Sequence, residues 1–298
     1  MVKIKIIWLF SVMVFISGLV SCTNTQTRNK DKHAENYADS MDPFQLNNES
    51  IVYLLPLPGE ILQRFYNSDL PYRPELLNSP KNKDKYIGST AQSLNLGVFI
   101  TDMAYSALFE RSTETVNYLE AIQSLTAEAG ISSTIFASLL ERSKTNSGNI
   151  DSLVNISNEA FSNMLEFLET GGNEKTISRL SAGAYIESLY IALHSIDKYN
   201  EENELLELLI EMRYPMDNLL ERVKSSAVTD NDISIINYLN QISGLFNELG
   251  KEKSKTIISQ KQTGVISIQG GDQIILNETN YNILKNEVSE IRKSIVDF

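Results

Sequence analysis

The acidic residue with the most unusual surroundings is Asp102, because its neighbours, "VFITDMAYSALF", are nearly all apolar. A buried carboxylate must find hydrogen-bond partners or shift its pKa. Tyr105 lies in this stretch and Asn95 shortly precedes it, and we take the three residues as a candidate ligand-contact or buried polar site. Two interpretations stay open. Asp102 is tied to backbone amides or tyrosine hydroxyls of the neighbouring proline-rich segment, or it contacts a ligand.

Catalysis by a Ser–His–Asp arrangement requires an imidazole within the folded domain, and His194 is the candidate. Ser195 and Asp197 follow it closely, but separations of one and three residues do not by themselves form a catalytic relay. The other histidine, His33, falls in a polar N-terminal stretch. We therefore interpret His194 as a packed or surface histidine and predict no catalytic residue of this kind.

The sequence lacks the side chains that several other kinds of site require. One cysteine excludes an internal disulfide and a cysteine-based redox site, and two histidines argue against a histidine-rich metal site. The pairs Gly171-Gly172 and Gly270-Gly271 lack the lysine and hydroxyl residues of a phosphate-binding loop. Acids between 201 and 211 lie opposite a leucine stripe, as on solvated helix faces. The sequence predicts no metal and no cofactor.

The single cysteine, Cys22, follows an apolar run near the N-terminus. Lys3 and Lys5 precede this run, which covers residues 6–20 and is shorter than the about 20 residues of a membrane-spanning helix. It ends in Leu19-Val20-Ser21-Cys22, which resembles the bacterial lipobox. By that resemblance, Cys22 becomes the lipidated first residue of the mature protein.

These features predict where the protein resides. Residues 1–21 are the predicted signal peptide, residues 22–50 a flexible tether that carries the lipid, and residues 51–298 a single helical domain. The lipobox predicts a lipid anchor in the cell envelope. In one group of Gram-negative bacteria, an acidic cluster directly after the cysteine resembles a surface-export signal. The tether lacks such a cluster, so we expect the protein on the outer membrane, facing the periplasm. Loss of the signal peptide changes the net charge from −12 to −14. This charge disfavours nucleic acid and anionic headgroups as partners, and leaves the lipid as the membrane contact.

From residue 51 onward the apolar pattern is helical, and the short connections favour antiparallel neighbours. Pro58 predicts the start of a short helix, and three prolines within 71–80 predict an irregular connection. Pro215 should kink or split a later helix. The stretch around Gly97 is apolar on most sides, which predicts a central helix. There and at residues 182–184, small side chains allow close helix contact.

The C-terminal part of the sequence changes character. Alternation of β-branched and polar residues about Gly270-Gly271 predicts a hairpin at about 263–276. A last amphipathic helix follows at about 278–296, capped by Asn277 or Thr279. The predicted fold is therefore mostly α, an antiparallel multi-helix bundle of about eight helices with a small C-terminal β-hairpin.

The motifs "LNLGVF" at 94–99 and "TDMAY" at 101–105, together with "YIESLYIAL" and "ILKNEVSEIRKSI", resemble a family of uncharacterised helical lipoproteins of Bacteroidetes. The likeness covers most of residues 50–298. Phe99 stands where that family more often has tyrosine, which removes one hydroxyl. The resemblance implies a helical fold and a lipid-anchored protein, and it implies no particular activity.

Three functions are consistent with these features. The first is a non-enzymatic envelope module whose helical surface or groove binds a protein or a small ligand. The second is an enzyme that uses carboxylate and tyrosine chemistry, with Asp102 as acid or base and Tyr105 as its hydrogen-bond partner. The third is a spacer that stabilises an envelope complex, which predicts an extensive exposed apolar patch. We favour the first, because catalytic side chains are scarce in this sequence.

Overall fold

The prediction of a mostly α fold with a small C-terminal hairpin is confirmed by a computed structural model, which describes residues 58–66, 70–128, 134–145, 149–227, 229–260 and 266–297. The helices are α1 (Pro58–Tyr66), α2 (Ser89–Leu108), α3 (Ser112–Glu128), α4 (Thr134–Thr145), α5 (Ile150–Thr170), α6 (Glu174–Ser195), α7 (Leu205–Glu211), α8 (Tyr214–Ser226), α9 (Asp230–Asn247) and α10 (Glu278–Val296). The antiparallel strands are β1 (Gly250–Gln260) and β2 (Ile266–Ile275). All described residues belong to one compact unit, Ser50–Phe298.

Helices α2 and α6 form the centre of this unit. Every residue of α2 except Ser89 and Gln92 is buried, and the helix contacts α1, α3, α5, α6 and α10. The two helices cross at Gly97 and Gly183. A Cβ on either glycine would lie 2.0 Å from a carbonyl oxygen of the other helix. The two glycines therefore allow a backbone approach that any larger residue would block.

The direction of the central helices follows from their contacts. Beyond the glycine crossing, Thr101 Oγ1 donates to the Ala184 carbonyl at 3.3 Å, so residue numbers rise together and α2 runs parallel to α6. Three helices separate the pair in sequence. Helix α10 runs antiparallel to α6, because Arg292 contacts Glu187 whereas Ser289 contacts His194.

The two larger of the three hydrophobic cores among the described residues flank this pair. One joins α2 and α6 to α3, α4 and α5, and the other joins them to α7, α8, α9 and α10. Burial of such apolar surface is the main favourable contribution to folding, at about 25 cal/mol per Å². Representative fully buried residues of the two cores are Leu96, Phe99, Leu119, Phe136 and Phe161 for the first, and Ile186, Leu209, Leu239 and Val288 for the second.

The hairpin differs from its predicted position. The sequence predicts a turn at Gly270-Gly271, but the strand register pairs Ser254 with Gly271 and places both glycines inside β2. The first strand is drawn from "GKEKSKTIISQ". Its lysine-rich start carries no alternating apolar signal, so the sequence pattern alone does not separate it from the preceding helix.

Several helix boundaries lie where prolines and capping residues predict them. Pro215 separates α7 from α8, as predicted, and occupies the first turn of α8, where a missing N–H costs little. Helix α10 begins after Asn277, whose side chain accepts a hydrogen bond from the Asn280 N–H at 2.9 Å. The proline-rich connection contains two 3-10 turns, Pro74–Leu76 and Pro80–Lys85. We call residues 70–88 the strap.

Candidate functional site

Asp102 lies on the side of α2 that meets the strap, and its exposed fraction is 0%. The Asn78 N–H donates to Asp102 Oδ2 at 3.0 Å. Burial raises the pKa of Asp102 well above its ordinary value. The neighbouring Glu187 adds to this rise, while Arg292 opposes it. This geometry fits the interpretation of an acid tied to a backbone amide of the proline-rich segment.

Glu187 is the second acid of the site, and the sequence analysis missed it. It lies on α6 with an exposed fraction of 0%. Arg292 of α10 donates to both of its carboxylate oxygens, each at 2.9 Å. The same guanidinium donates to the Leu76 carbonyl at 3.1 Å and lies 4.6 Å from the centre of the Tyr190 ring. Arg292 therefore joins α10, α6 and the strap.

Asn78 is the hub of the strap and is also buried. Its side-chain amide donates to Tyr86 OH at 2.8 Å and to Asn95 Oδ1 at 3.3 Å. Its carbonyl oxygen accepts from Tyr118 OH at 3.0 Å, and its Oδ1 accepts from the side chain of Asn82 at 2.8 Å. Because these partners come from α2, α3 and the strap itself, one asparagine fixes the position of the strap on the bundle.

The other two predicted site residues occupy different positions. Asn95 is fully buried, and its Nδ2 donates to the Ile295 carbonyl at 2.9 Å, which attaches the end of α10 to α2. Tyr105 accepts a hydrogen bond from the Arg73 N–H at 3.1 Å. Burial raises the pKa of Tyr105 to about 12. Asn78 therefore brings Asp102 and Asn95 together, whereas Tyr105 holds the strap at a separate point.

His194 makes a contact that its sequence neighbourhood does not suggest. Its Nδ1 lies 2.8 Å from the Tyr190 carbonyl, and its Nε2 lies 3.3 Å from Ser289 Oγ. The serine hydroxyl donates to the Lys285 carbonyl at 2.6 Å, within its own helix. Burial lowers the pKa of His194 to about 4, so the imidazole is neutral at neutral pH. These contacts describe a packed histidine between α6 and α10.

A second buried ionic cluster lies at the other end of the α2–α6 contact. Arg179 Nε donates to Asp232 Oδ1 at 2.7 Å, and Arg179 Nη1 donates to Ser89 Oγ at 3.2 Å. Asp232 Oδ2 also accepts from the Thr229 N–H at 2.9 Å and from the Thr229 hydroxyl at 2.7 Å. This cluster closes the N-terminus of α9 with a capping box.

An open groove of about 520 Å³ lies along α4 and α5. Its two charged residues, Arg142 and Glu159, form a two-fold hydrogen-bonded ion pair, so its charge is balanced. The side chains of Asn155, Asn158 and Asn163 make no hydrogen bond to any residue that the structure describes. A small, partly open cavity of about 20 Å³ near Ser181 has room for roughly one water molecule. The groove is lined by Arg142, Asn149, Ser152, Asn155, Asn158, Glu159, Ser162 and Asn163.

Three further observations concern metal binding, membrane spans and the predicted lipidation residue. Among the described residues, no group of three or more His, Cys, Asp or Glu side chains could hold a metal ion. None of the helices in that part of the chain has the length and hydropathy of a membrane span. The predicted lipidation residue Cys22, the tether and His33 lie outside the described residues.

Comparison with protein-family models, with curated proteins and with solved structures finds no match. The resemblance to helical lipoproteins of Bacteroidetes therefore stays a prediction from the motifs.

Proposed function

We propose that this protein is a lipid-anchored cell-envelope protein, attached through Cys22 to the outer membrane facing the periplasm, and that it binds a protein or a small ligand without catalysing a reaction. The observation that carries the proposal is the burial of Asp102. A general acid or base must come within hydrogen-bond reach of its substrate. Asp102 is fully buried, and one of its oxygens is taken by the Asn78 amide, which supports a structural role over the enzymatic alternative.

The groove along α4 and α5 supports the binding role. Its side-chain amides each offer two donors and one acceptor, and its ion pair leaves no excess charge. Such a surface suits a ligand rich in neutral hydrogen-bonding groups, as a peptide backbone or a polyhydroxyl compound is. Its size falls within the range of small-ligand sites, about 300–1,000 Å³.

The spacer alternative has less support. Within the described ranges, the exposed large apolar residues belong to four different elements, and single exposed apolar residues are ordinary on protein surfaces. They are Ile87, Tyr214, Ile233 and Ile283.

The proposal is tested by mild crosslinking and affinity co-purification of the full-length, lipidated protein from its own envelope. We expect an enriched partner or ligand that is lost in Asn155→Lys, where a charge enters the groove, and retained in Asn240→Lys. Asn240 is an exposed asparagine on α9 and serves as the matched control. The variant Cys22→Ala should leave the protein unanchored.

Two results would contradict the proposal. One is equal recovery of every bound molecule by the Asn155→Lys and Asn240→Lys variants, which would remove the groove from the binding surface. The other is turnover of an envelope substrate that Asp102→Asn abolishes, which would establish the enzymatic alternative.

A further inference from the structure

We propose that Asp102 and Glu187 form a buried carboxyl pair that binds one proton, carried on Asp102 Oδ1 and donated to the Glu187 carboxylate. The pair lies where α2, α6, α10 and the strap meet. The proposal concerns the interior of the protein and is independent of the groove.

The charges around the pair do not balance. Asp102 comes from α2, Glu187 from α6 and Arg292 from α10, so two acids face one guanidinium. Glu75 of the strap acts on Tyr190, and His194 of α6 lies near Arg292 but is neutral at neutral pH, because burial lowers its pKa to about 4. Four tyrosines also surround the pair, and burial raises their pKa values, so they stay neutral. They are Tyr72 and Tyr86 of the strap, Tyr118 of α3 and Tyr190 of α6.

The hydrogen bonds of Arg292 in the described structure go to groups other than Asp102. Arg292 Nε and Nη2 each donate to Glu187, and Nη2 also donates to the Leu76 carbonyl. Asp102 Oδ2 accepts from the Asn78 N–H, but Asp102 Oδ1 has no donor among the described residues. If both acids were ionised, a fully buried carboxylate oxygen would face a like charge without a partner.

A proton on Asp102 Oδ1 removes the repulsion between the two acids and gives this oxygen a hydrogen-bond partner. Asp102 then becomes neutral, and its O–H donates to the Glu187 carboxylate, which keeps its charge and its two hydrogen bonds from Arg292. The pKa of Asp102 agrees with this arrangement, since it is raised by burial and then by the charge of the nearby Glu187. Two adjacent carboxyl groups that share one proton are a known arrangement for acids too close for both to ionise.

The proton links stability to pH. An aspartate in an unfolded chain has a pKa of about 3.9, whereas the pKa of Asp102 is raised in the fold. Between these two values the native state binds the extra proton, so the stability of the fold falls as the pH rises. The Asn78 N–H bonds to the same carboxyl group, so loss of the proton places the strap next to a second buried charge.

Infrared spectroscopy of the intact protein tests the proposal directly. We expect the C=O stretching band of a protonated carboxyl group at pH 7, lost in Asp102→Asn and retained in Asp232→Asn. Asp232 is the matched control, because it is equally buried but paired with Arg179. Absence of the band in the wild-type protein at pH 7 would overturn the proposal, and this measurement needs no variant to fold.

Thermal unfolding between pH 5 and pH 8 provides a second test. In Asp102→Asn the amide can donate to Glu187 and accept from Asn78, so we expect Tm at pH 7 to rise by about 3 °C or more and its pH dependence to weaken. Asp102→Ala should lower Tm, because it removes both contacts. A wild-type Tm that follows sodium concentration rather than pH would overturn the proposal in favour of a bound cation.

Discussion

Two buried ionic clusters lie along the contact between α2 and α6, and they are built differently. In the balanced cluster, Arg179 faces Asp232, both side chains are at most 4% exposed, and both oxygens of the acid have donors. In the unbalanced cluster, Arg292 faces Glu187 and Asp102 together, and one oxygen of Asp102 has no donor among the described residues.

The difference shows how the number of partners decides the role of a buried charge. The balanced cluster completes a local structure, the start of α9, with one acid and one guanidinium. The unbalanced cluster joins the strap and α10 to the central helices, and its extra carboxyl group requires a proton. A buried ion pair contributes less than its attraction suggests, whereas an unpaired buried charge is costly. Perturbing the two clusters should therefore give different results.

The largest effect should come from the glycine crossing that lies between the clusters. In Gly183→Ala the new Cβ would lie 2.0 Å from the Leu94 carbonyl, so α2 and α6 must separate and both clusters must open. We expect the free energy of unfolding in urea to fall by at least about 4 kcal/mol. Gly244→Ala on α9 is the control, because its Cβ meets nothing within 4 Å. Equal behaviour of the two variants would show that the crossing is looser than described.

Removing each guanidinium should distinguish the clusters. Arg292→Met leaves two buried carboxyl groups without a cation, and we expect a loss of about 3 to 4 kcal/mol at pH 7. The loss should shrink at pH 5, because a second proton can then neutralise the pair. Arg179→Met should cost less, about 2 to 3 kcal/mol, because Asp232 keeps both Thr229 donors. Urea denaturation at both pH values measures this, and the reverse order would refute the comparison.

Loss of the hub should affect only the cluster at the strap. Asn78→Ala removes the side-chain donors to Tyr86 and Asn95, and we expect a loss of about 2 kcal/mol. Amide hydrogen exchange should become faster in the strap and stay unchanged in α9. If exchange rose equally in α9, the two clusters would be coupled rather than separate.

The smallest effect should come from the outer attachment of the strap. Tyr105→Phe keeps the buried ring but leaves the Arg73 N–H without its acceptor, so we expect a loss of about 1 kcal/mol. Thermal unfolding should show a decrease in Tm of about 2 to 4 °C. Tyr214→Phe, at a side chain 65% exposed, should leave Tm unchanged. A larger loss than that of Asn78→Ala would place the main attachment of the strap at Tyr105.

The sequence predicts one of the three charged residues of the unbalanced cluster. Asp102 stands out because an acid among apolar residues is a local signal. Glu187 carries the same local signal in "YIESLYIAL", where an acid also stands among mostly apolar residues. Arg292 resembles any basic residue of an amphipathic helix. Its pairing with Glu187 joins residues 105 positions apart, which no spacing rule provides.

The same limit applies to the strap and to the histidine. Asn78 reads as an ordinary loop residue, because its role depends on contacts with residues 17 to 40 positions away on α2 and α3. The Ser289 contact of His194 spans 95 positions. Helices, caps and proline breaks were predictable, since their causes lie within a few residues. The start of the hairpin was not, because a lysine-rich strand lacks an alternating apolar pattern.

The contacts of α10 with the strap and α2 have a consequence for the order of folding. Arg292 to Leu76, Tyr86 to Val296 and Asn95 to Ile295 join residues 216, 210 and 200 positions apart. Such contacts form late, because closing long loops costs entropy before any contact compensates it. During synthesis, Asp102 and Glu187 are therefore present long before their guanidinium. A chain released before α10 is made would hold uncompensated acids in its interior, and this defect would expose truncated products to proteolysis.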